Sequence, residues 1–249
     1  MIILKGGSLL FALLLALFSC IGIFEFYGMA LPGRTVERWL AALTGSALIF
    51  LPFTADSRLA LTSIALLFLI FALLFLFRIS EITDAAREVS YAVLAFIYIP
   101  FMLMHLVMLR QTRFGIEWLL VLMLIAMSGD SAAYYIGSAF GKNRLYPLVS
   151  PKKSIEGSLG GVAGSICGTL LAKFTFFQQL TLADALITAV VIGILGQSGD
   201  LFESMLKRSF GVKDSGTIFP GHGGVLDRLD SILFAAPVTY YYVVYFFQG

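Results

Sequence analysis

The stretch LALTSIALLFLIFALLFLF, residues 59–77, decides the class of fold. Its 19 residues carry no charge between Arg58 and Arg78. An α-helix needs about 20 such residues to cross the hydrocarbon core of a bilayer. The rest of the chain is similar in character, since 59% of its 249 residues are hydrophobic and only 13% are charged. A soluble domain has about 25% charged residues, so lipid must be the solvent for much of this molecule.

Apolar runs bounded by charged residues, proline or glycine divide the chain into eight predicted helices. They cover residues 8–31, 38–54, 59–77, 88–109, 116–140, 158–177, 183–206 and 230–247. The run from Ser8 to Ala30 is too long for the apolar region of a signal peptide, and no clear cleavage site follows it, so we interpret it as a retained span. The expected fold class is an all-α, polytopic integral membrane helix bundle with about eight transmembrane helices.

The Lys and Arg residues are concentrated in alternate loops. Twelve of the 17 lie in residues 32–38, 78–87, 141–157 and 207–229. The positive-inside rule places these loops in the cytoplasm, which leaves both termini outside. The last two loops are large, basic and rich in glycine, and they share one side of the membrane, so we expect a polar funnel that faces the cytoplasm. The net charge of +2 is too small to indicate a nucleic-acid partner.

The clearest chemical pattern lies in DLFESMLKRSFGVKDSGTIFPGHGGVLDRLD, residues 200–230. Its first polar side chains share one face near the end of the seventh helix, because they are spaced i, i+3, i+4 and i+7. These residues are Asp200, Glu203, Ser204 and Lys207. An acid at membrane depth is energetically expensive and indicates a functional site. The alternative for Glu203 is an ion pair with Lys207 that only solvates the helix end.

Residues 220–224, PGHGG, place three glycines around His222. Glycine permits positive φ angles and a close approach of the backbone, so successive N–H groups of this loop can point at a phosphate. His222 is a candidate general base or a hydrogen-bond donor to phosphate. We favour a role in positioning the phosphate or the loop, because no thiol or serine triad is nearby.

Two aspartates follow this loop. Asp227 and Asp230 are spaced i, i+3 at the start of the last helix, where acids also suit the helix dipole. The sharper hypothesis is that these carboxylates hold magnesium, which takes oxygen ligands and is completed by water and substrate phosphates. Positive charge for phosphate oxygens is supplied by Lys207, Arg208, Lys213 and Arg228. Carboxylates, glycines and cations in one stretch are the groups that phosphoryl-type transfer needs.

Residues 204–230 resemble the signature of the phosphatidate cytidylyltransferases, or CDP-diacylglycerol synthases. That signature runs Ser-x-x-Lys-Arg, four residues, Lys-Asp, a loop that ends in Pro-Gly-His-Gly-Gly, and then Asp-Arg-x-Asp. The matching positions are Ser204, Lys207, Arg208, Lys213, Asp214, Pro220, His222, Gly223, Gly224, Asp227, Arg228 and Asp230. A dozen fixed positions within 27 residues hardly arise by chance.

A second block, SGDSAAYYIGSAFGKNRLYPLVSPKKSIEG at residues 128–157, resembles another stretch of the same family. The matching positions are Asp130, Tyr134, Gly137, Gly141, Lys142, Ser150, Pro151, Lys152, Lys153, Glu156 and Gly157. Gly137 has close helix packing as an alternative role. The alternative role for Lys152 and Lys153 is a basic anchor at the lipid surface.

A weaker match lies near the N-terminus, where EFYGM at residues 25–29 is similar to a Glu-Phe-Tyr-Arg-like motif of the family. Gly28 stands in the place of the usual basic residue. Because the family usually has one more hydrophobic segment before this motif, the resemblance implies that its first helix is missing here. We divide the chain into N-terminal transmembrane helices, residues 1–110, and a catalytic region, residues 111–249, with cytoplasmic loops 141–157 and 207–229.

The resemblance implies that CTP and phosphatidic acid react at the lipid bilayer to give CDP-diacylglycerol and pyrophosphate. It implies Mg²⁺ as cofactor, and it leaves open whether a monovalent cation joins the magnesium and whether the chain forms a homodimer. The expected location is the bacterial inner membrane, with the active site facing the cytoplasm.

The residues of this chain can be given roles on that basis. The expected metal ligands are Asp200, Asp227 and Asp230. The expected catalytic residues are Lys207, Arg208, Lys213, Asp214, His222 and Arg228. The expected substrate-binding residues are Ser204, Gly221, Gly223, Gly224, Asp130, Tyr134, Lys152 and Lys153.

Three other functions are alternatives. A transporter or channel predicts inverted repeats and acids at mid-membrane in several helices, whereas no repeat is obvious here and the acids cluster in two segments. A CTP-using polyprenol kinase would transfer the γ-phosphoryl group to an alcohol, and it would release CDP instead of pyrophosphate. An inactive structural relative is disfavoured, because this chain retains every expected charged residue of the signature.

Overall fold

The computed structural model of this chain is almost entirely helical in the part that it describes. That part covers residues 6–54, 56–78, 81–219, 221 and 223–249, without the side chain of Ser57. The α-helices are α1 (Ser8–Ala30), α2 (Thr35–Leu48), α3 (Ser57–Arg78), α4 (Ala85–Phe96), α5 (Met102–Arg110), α6 (Gly115–Phe140), α7 (Ile155–Thr175), α8 (Leu182–Ser209) and α9 (Leu226–Tyr245). Short 3₁₀ helices cover Leu51–Phe53 and Ile82–Asp84, and a π-helical turn, Ile97–Phe101, joins α4 to α5. The all-α prediction is confirmed.

The polytopic membrane character is also confirmed. By length and composition alone, seven helices of the described residues can cross a membrane. They are Ser8–Ala30, Thr35–Phe53, Arg58–Arg78, Ile82–Arg110, Gly115–Phe140, Ile155–Thr175 and Leu182–Ser209. Only 11% of the most apolar window of α3 is buried by protein, so this helix presents most of its leucines to lipid, while Phe71 and Phe75 pack inside. The eighth predicted span corresponds to α9, whose first turns carry Asp227, Arg228 and Asp230.

Several predicted boundaries are corrected by a few residues. The sixth predicted helix, 158–177, begins at Ile155, because the side chain of Ser154 caps it by accepting a hydrogen bond from Gly157 N at 3.1 Å. The predicted loop 141–157 also contains an antiparallel hairpin, β1 (Arg144–Tyr146) with β2 (Ser150–Ser154). The predicted loop 207–229 is shorter, since α8 continues to Ser209 and α9 begins at Leu226 instead of residue 230. Cations at 207 and 208 suit the negative end of the α8 dipole.

Proline explains the irregularities of the second and fourth predicted helices. Pro52 lies in the 3₁₀ turn that follows α2, so the helix predicted at 38–54 ends early. Pro100 lies in the π-helical turn between α4 and α5, within the span predicted at 88–109. Proline has no N–H to donate, and its ring collides with the preceding turn, so the helix widens locally and continues.

One compact unit consists of the described residues up to Val107 together with Asp214–Asp227. Its core contains Ile23, Phe26 and Tyr27 of α1, all with no exposed surface. An ion-pair network holds the ends of α2, α3 and α4 together. Arg34 lies 2.5 Å from Glu88, and Arg78 lies 2.9 Å from Glu37, whose side chain is fully buried.

A second compact unit consists of Met108–Lys213 and Arg228–Gly249. Helices α6 and α7 pack closely in it through glycines, which is the alternative role that the sequence analysis gave for Gly137. A Cβ atom on Gly137 would lie 3.4 Å from the Cα of Gly157. Helix α8 is tied to α7 by hydrogen bonds between Ser158 and Gln197, including Gln197 Nε2 to the Ser158 carbonyl at 3.1 Å. This packing places the hairpin beside the polar end of α8.

Candidate active site

Lys153 and Asp200 join the two sequence segments that are predicted to build the site. Lys153 lies on β2 and Asp200 lies on α8, and their side chains form an ion pair. Both belong to the second unit, and both side chains are about one-third exposed, at 30% and 31%. The block at 128–157 therefore meets the beginning of the segment at 200–230 through opposite charges.

A polar cavity of about 560 Å³ surrounds this pair in the second unit. It contains all four of the predicted substrate-binding residues of the 128–157 block. These are Asp130, Tyr134, Lys152 and Lys153. Arg144 also lines it, which the sequence prediction missed, and Arg144 Nη1 donates to the Lys152 carbonyl at 3.3 Å. Three cations and two carboxylates thus line the cavity, which leaves an excess of positive charge for an anionic ligand, and the cavity has the size of a small-molecule site.

The loop at the edge of this cavity is held by Glu156. Its carboxylate accepts hydrogen bonds from Lys142 N at 3.1 Å, from Asn143 N at 3.2 Å and from Asn143 Nδ2 at 2.8 Å. These contacts fix the turn between α6 and β1. Glu156 therefore shapes the hairpin from the first turn of α7.

Three aspartates of the second unit interact electrostatically. Asp130 and Asp200 both repel the half-buried Asp230 carboxylate, while Lys207 attracts it. Ser231 N donates to Asp230 Oδ1 at 2.6 Å. Across the described residues, no group of three His, Cys, Asp or Glu side chains encloses a metal position. Magnesium needs no such cage, because one or two carboxylates suffice when water and phosphates complete its shell, so this donor set fits magnesium.

The Glu203–Lys207 pair on α8 is buried. Lys207 Nζ lies 2.6 Å from Glu203 Oε2, and the Glu203 side chain is 1% exposed. The ion pair that the alternative names is therefore formed, and a functional role for Glu203 stays a prediction. Arg208, one residue further, is exposed and donates from Nη1 to the Val212 carbonyl at 3.3 Å.

In the first unit, Asp227 organises the loop that precedes α9. Its Oδ2 accepts hydrogen bonds from Ser215 N at 2.9 Å, from Ser215 Oγ at 2.8 Å and from Gly224 N at 2.7 Å. The Gly224 N–H donates to this carboxylate, and its expected role in binding a phosphate stays a prediction. Asp227 therefore fixes both ends of its own loop.

The glycines of the loop adopt the backbone angles that the sequence predicted. Gly221 has φ +75° and Gly223 has φ +82°, a region that side chains rarely adopt. Phe219 N donates to the Gly223 carbonyl at 3.0 Å, which closes the turn. The predicted positions Pro220 and His222 lie outside the described residues.

Glu25 also holds this loop of the first unit, and the sequence prediction missed it, since EFYGM was matched only weakly. It lies on α1 and its side chain is 6% exposed. Oε1 accepts from Val225 N at 3.0 Å, and Oε2 accepts from Leu226 N at 2.9 Å and from Ser215 Oγ at 3.1 Å. The signal that could have found it is an acid inside a long apolar run.

The remaining predicted site residues lie at the surface of their units. Lys213, Asp214 and Arg228 are exposed, and Ser204 is half-buried on α8. Their assigned roles stay predictions.

Comparison with known proteins adds independent information. A family model described as the cytidylyltransferase family matches residues 1–246. A phosphatidate cytidylyltransferase of Staphylococcus haemolyticus is 34% identical over 242 residues, which cover 95% of this chain and 90% of that protein. One from Staphylococcus aureus is 33% identical over 240 residues, with the same two shares of 95% and 90%.

The phosphatidate cytidylyltransferase of Bacillus subtilis is 39% identical over a shorter region of 162 residues. This region covers 64% of the present chain and 60% of that relative. The family model covers almost the whole chain, and the Staphylococcus alignments run through both units. The chain therefore belongs to the cytidylyltransferase family of nucleotidyltransferases.

Proposed function

We propose that this protein transfers a cytidylyl group from CTP to phosphatidic acid, which gives CDP-diacylglycerol and pyrophosphate for phospholipid synthesis. The observation that carries the proposal is the cavity around the Lys153–Asp200 pair, which is lined by cations. It lies in a chain that otherwise consists mainly of apolar helices able to span a membrane. A membrane enzyme with an anion-binding cavity suits one lipid substrate and one phosphate-rich soluble substrate. The family membership supplies the nucleotide, since its named relatives are phosphatidate cytidylyltransferases.

The reaction depends more on neutralising the negative charge of the phosphates than on acid–base catalysis. A phosphate monoester such as phosphatidate is largely dianionic at neutral pH, because its second pKa is about 6. One of its oxygens attacks the α-phosphorus of CTP, and the bond from that phosphorus to the bridging oxygen of the β-phosphate breaks as pyrophosphate leaves. The barrier comes from crowding of negative charge, so positioned cations lower it. Arg144, Lys152 and Lys153 line the cavity, which supports the proposal that they supply these cations.

We propose that magnesium serves this site, with Asp200 and Asp230 as oxygen ligands in the second unit. The mutual repulsion of these two carboxylates supports this, because a bound cation would relieve it. Magnesium would supply neutralisation of the phosphate oxygens. For Asp227, in the first unit, the proposal of a magnesium ligand rests on its place in the signature, and the three hydrogen bonds to its Oδ2 are of the kind that orient a metal-binding carboxylate.

We place the site on the cytoplasmic side of the bacterial inner membrane. The proposal rests on the Lys and Arg residues of the loops, which are concentrated in the set that includes the hairpin. CTP would then reach the cavity from the cytoplasm. The lipid would enter sideways between helices, because its tails remain in the bilayer while its phosphate reaches the cations.

The test of the reaction uses purified protein in detergent with phosphatidate, magnesium and CTP labelled at one phosphorus. With the α-phosphorus labelled, the radioactivity should move into a lipid product that co-migrates with CDP-diacylglycerol on a thin-layer plate. With the γ-phosphorus labelled, it should leave as pyrophosphate. Label from the γ-position in the lipid fraction would instead indicate a kinase, which would join the γ-phosphoryl group to the phosphate of phosphatidate and release CDP.

A further inference from the structure

Two protein carboxylates accept the backbone hydrogen bonds at the start of α9. Three consecutive backbone N–H groups at a helix start have no acceptor within the helix. Here Gly224 N donates to Asp227, while Val225 N and Leu226 N donate to the two oxygens of Glu25. Glu25 comes from α1, about 200 residues away along the chain. An ionised carboxylate with so little exposed surface needs such donors, because burial without them would be very costly.

Ser215 connects the two carboxylates. Its Oγ lies 3.1 Å from Glu25 Oε2 and 2.8 Å from Asp227 Oδ2, and its N–H also donates to Asp227. A hydroxyl carries one hydrogen, so it donates to one of the two carboxylates at a time. The position of Asp227 is therefore linked to that of Glu25 twice, through Ser215 and through the adjacent amides of residues 224 and 225.

The backbone of the loop lies so close to the Glu25 carboxylate that residues 216 and 224 have no room for a side chain. A Cβ atom on Gly216 would lie 2.5 Å from Glu25 Oε1 and 2.8 Å from its Cδ. A Cβ atom on Gly224 would collide with both Glu25 oxygens. Glycine at these two positions lets the loop close against the carboxylate from both sides.

We propose that Glu25 is a positioning residue, which holds the 214–227 loop so that the Asp227 carboxylate is oriented for magnesium. Glu25 touches neither substrate nor metal in this role. It acts through Ser215 and through the backbone at the start of α9. The metal part of this inference rests on the proposed function, whereas the loop part rests on the contacts alone.

The competing explanation is that Glu25 only ties α1 to the loop for stability. Glu37 provides a matched control, because it is a fully buried carboxylate of the same unit whose ion pairs, among the described residues, are with arginines outside the loop. It pairs instead with Arg78 at 2.9 Å and lies 3.7 Å from Arg34. Loss of either charge should lower stability, but only loss of Glu25 should change the loop and the magnesium response.

The experiment compares Glu25→Gln and Glu37→Gln in the full-length protein purified in detergent. Glutamine has the same shape but replaces one accepting oxygen with a donor, so Val225 N or Leu226 N loses its partner. Hydrogen exchange of peptides that span residues 214–227, followed by mass spectrometry, should become about 10-fold faster in Glu25→Gln. The magnesium concentration for half-maximal CDP-lipid formation should rise about 10-fold or more. Both quantities should stay within about twofold of the parent in Glu37→Gln.

Two outcomes decide against the inference. Unchanged exchange at 214–227 in Glu25→Gln overturns the loop contact. Faster exchange with an unchanged magnesium response shows a purely structural tie. If Glu25→Gln does not fold, Glu25→Asp keeps the charge, and its shorter side chain should still speed exchange because it cannot reach both amides. If the parent forms no CDP-lipid, the proposed function fails, and the exchange comparison alone decides whether Glu25 holds the loop.

Discussion

The ion pair between Lys153 and Asp200 places two charged side chains next to an apolar helix bundle. Each would be expensive alone near an apolar helix bundle, and the pair lowers that cost. Partial exposure leaves both side chains accessible from the cavity, so a phosphate can compete for the lysine and a cation for the aspartate.

This leads to a prediction for Lys153. Replacement of Lys153 by Gln should lower kcat/KM for CDP-lipid formation by about 100-fold, because a positioned cation is lost where charge accumulates. Lys142→Gln is the control, since it removes the same charge from the same loop without facing the cavity, and it should retain activity within about threefold. Equal losses in the two variants would show that only the overall charge of the loop matters.

At the scale of elements, hydrophobic runs were enough to predict the helices, while their ends and the site contacts depended on tertiary interactions. The predicted span 59–77 differs from α3 by one or two residues at each end. The start of α7 depends on the Ser154 cap, and the start of α9 on Glu25, whose contacts join residues far apart in sequence. Arg144 could not be found as a cavity residue, because only the hairpin turns it toward Lys152.

The packing of α6 against α7 gives a prediction at this scale. A Cβ atom on Gly157 would lie 2.9 Å from the Ala133 carbonyl oxygen and 3.0 Å from the Cα of Gly137, and these backbone atoms cannot move aside. Gly157→Ala should therefore destabilise the protein by about 1–3 kcal/mol, as overpacking usually does. Thermal unfolding in detergent should show this as a lower Tm.

The control for this prediction is Gly196→Ala in α8. There the added Cβ would lie 3.7 Å from the nearest atoms of Ser231, which is ordinary van der Waals contact. Alanine also favours a helix over glycine by about 1 kcal/mol, so this variant should be neutral or stabilised. A Gly157→Ala protein that unfolds at the parental temperature would mean that α6 and α7 can separate freely.

At the scale of the whole molecule, the distribution of charge is the property that relates the chain to its membrane. A positive-inside orientation gives every basic loop the same side, and it places the hairpin of residues 144–154 in the cytoplasm, where CTP is available. The opposite orientation would expose the same cavity to a compartment without nucleotide. A cytoplasmic cavity would therefore support the proposed reaction with CTP, and a cavity on the outside would contradict it.

Cysteine labelling on intact cells tests this orientation. Leu148, at the tip of the hairpin, is 81% exposed and suits a cysteine probe, whereas Ser154 is 4% exposed and caps α7. Gln111, in the exposed turn before α6, is the counterpart on the predicted outer side. In a background without Cys20 and Cys167, a membrane-impermeant maleimide should label Gln111→Cys in intact cells, and it should label Leu148→Cys only after the cells are opened. The reverse pattern would place the cavity outside, and it would contradict a reaction that draws CTP from the cytoplasm.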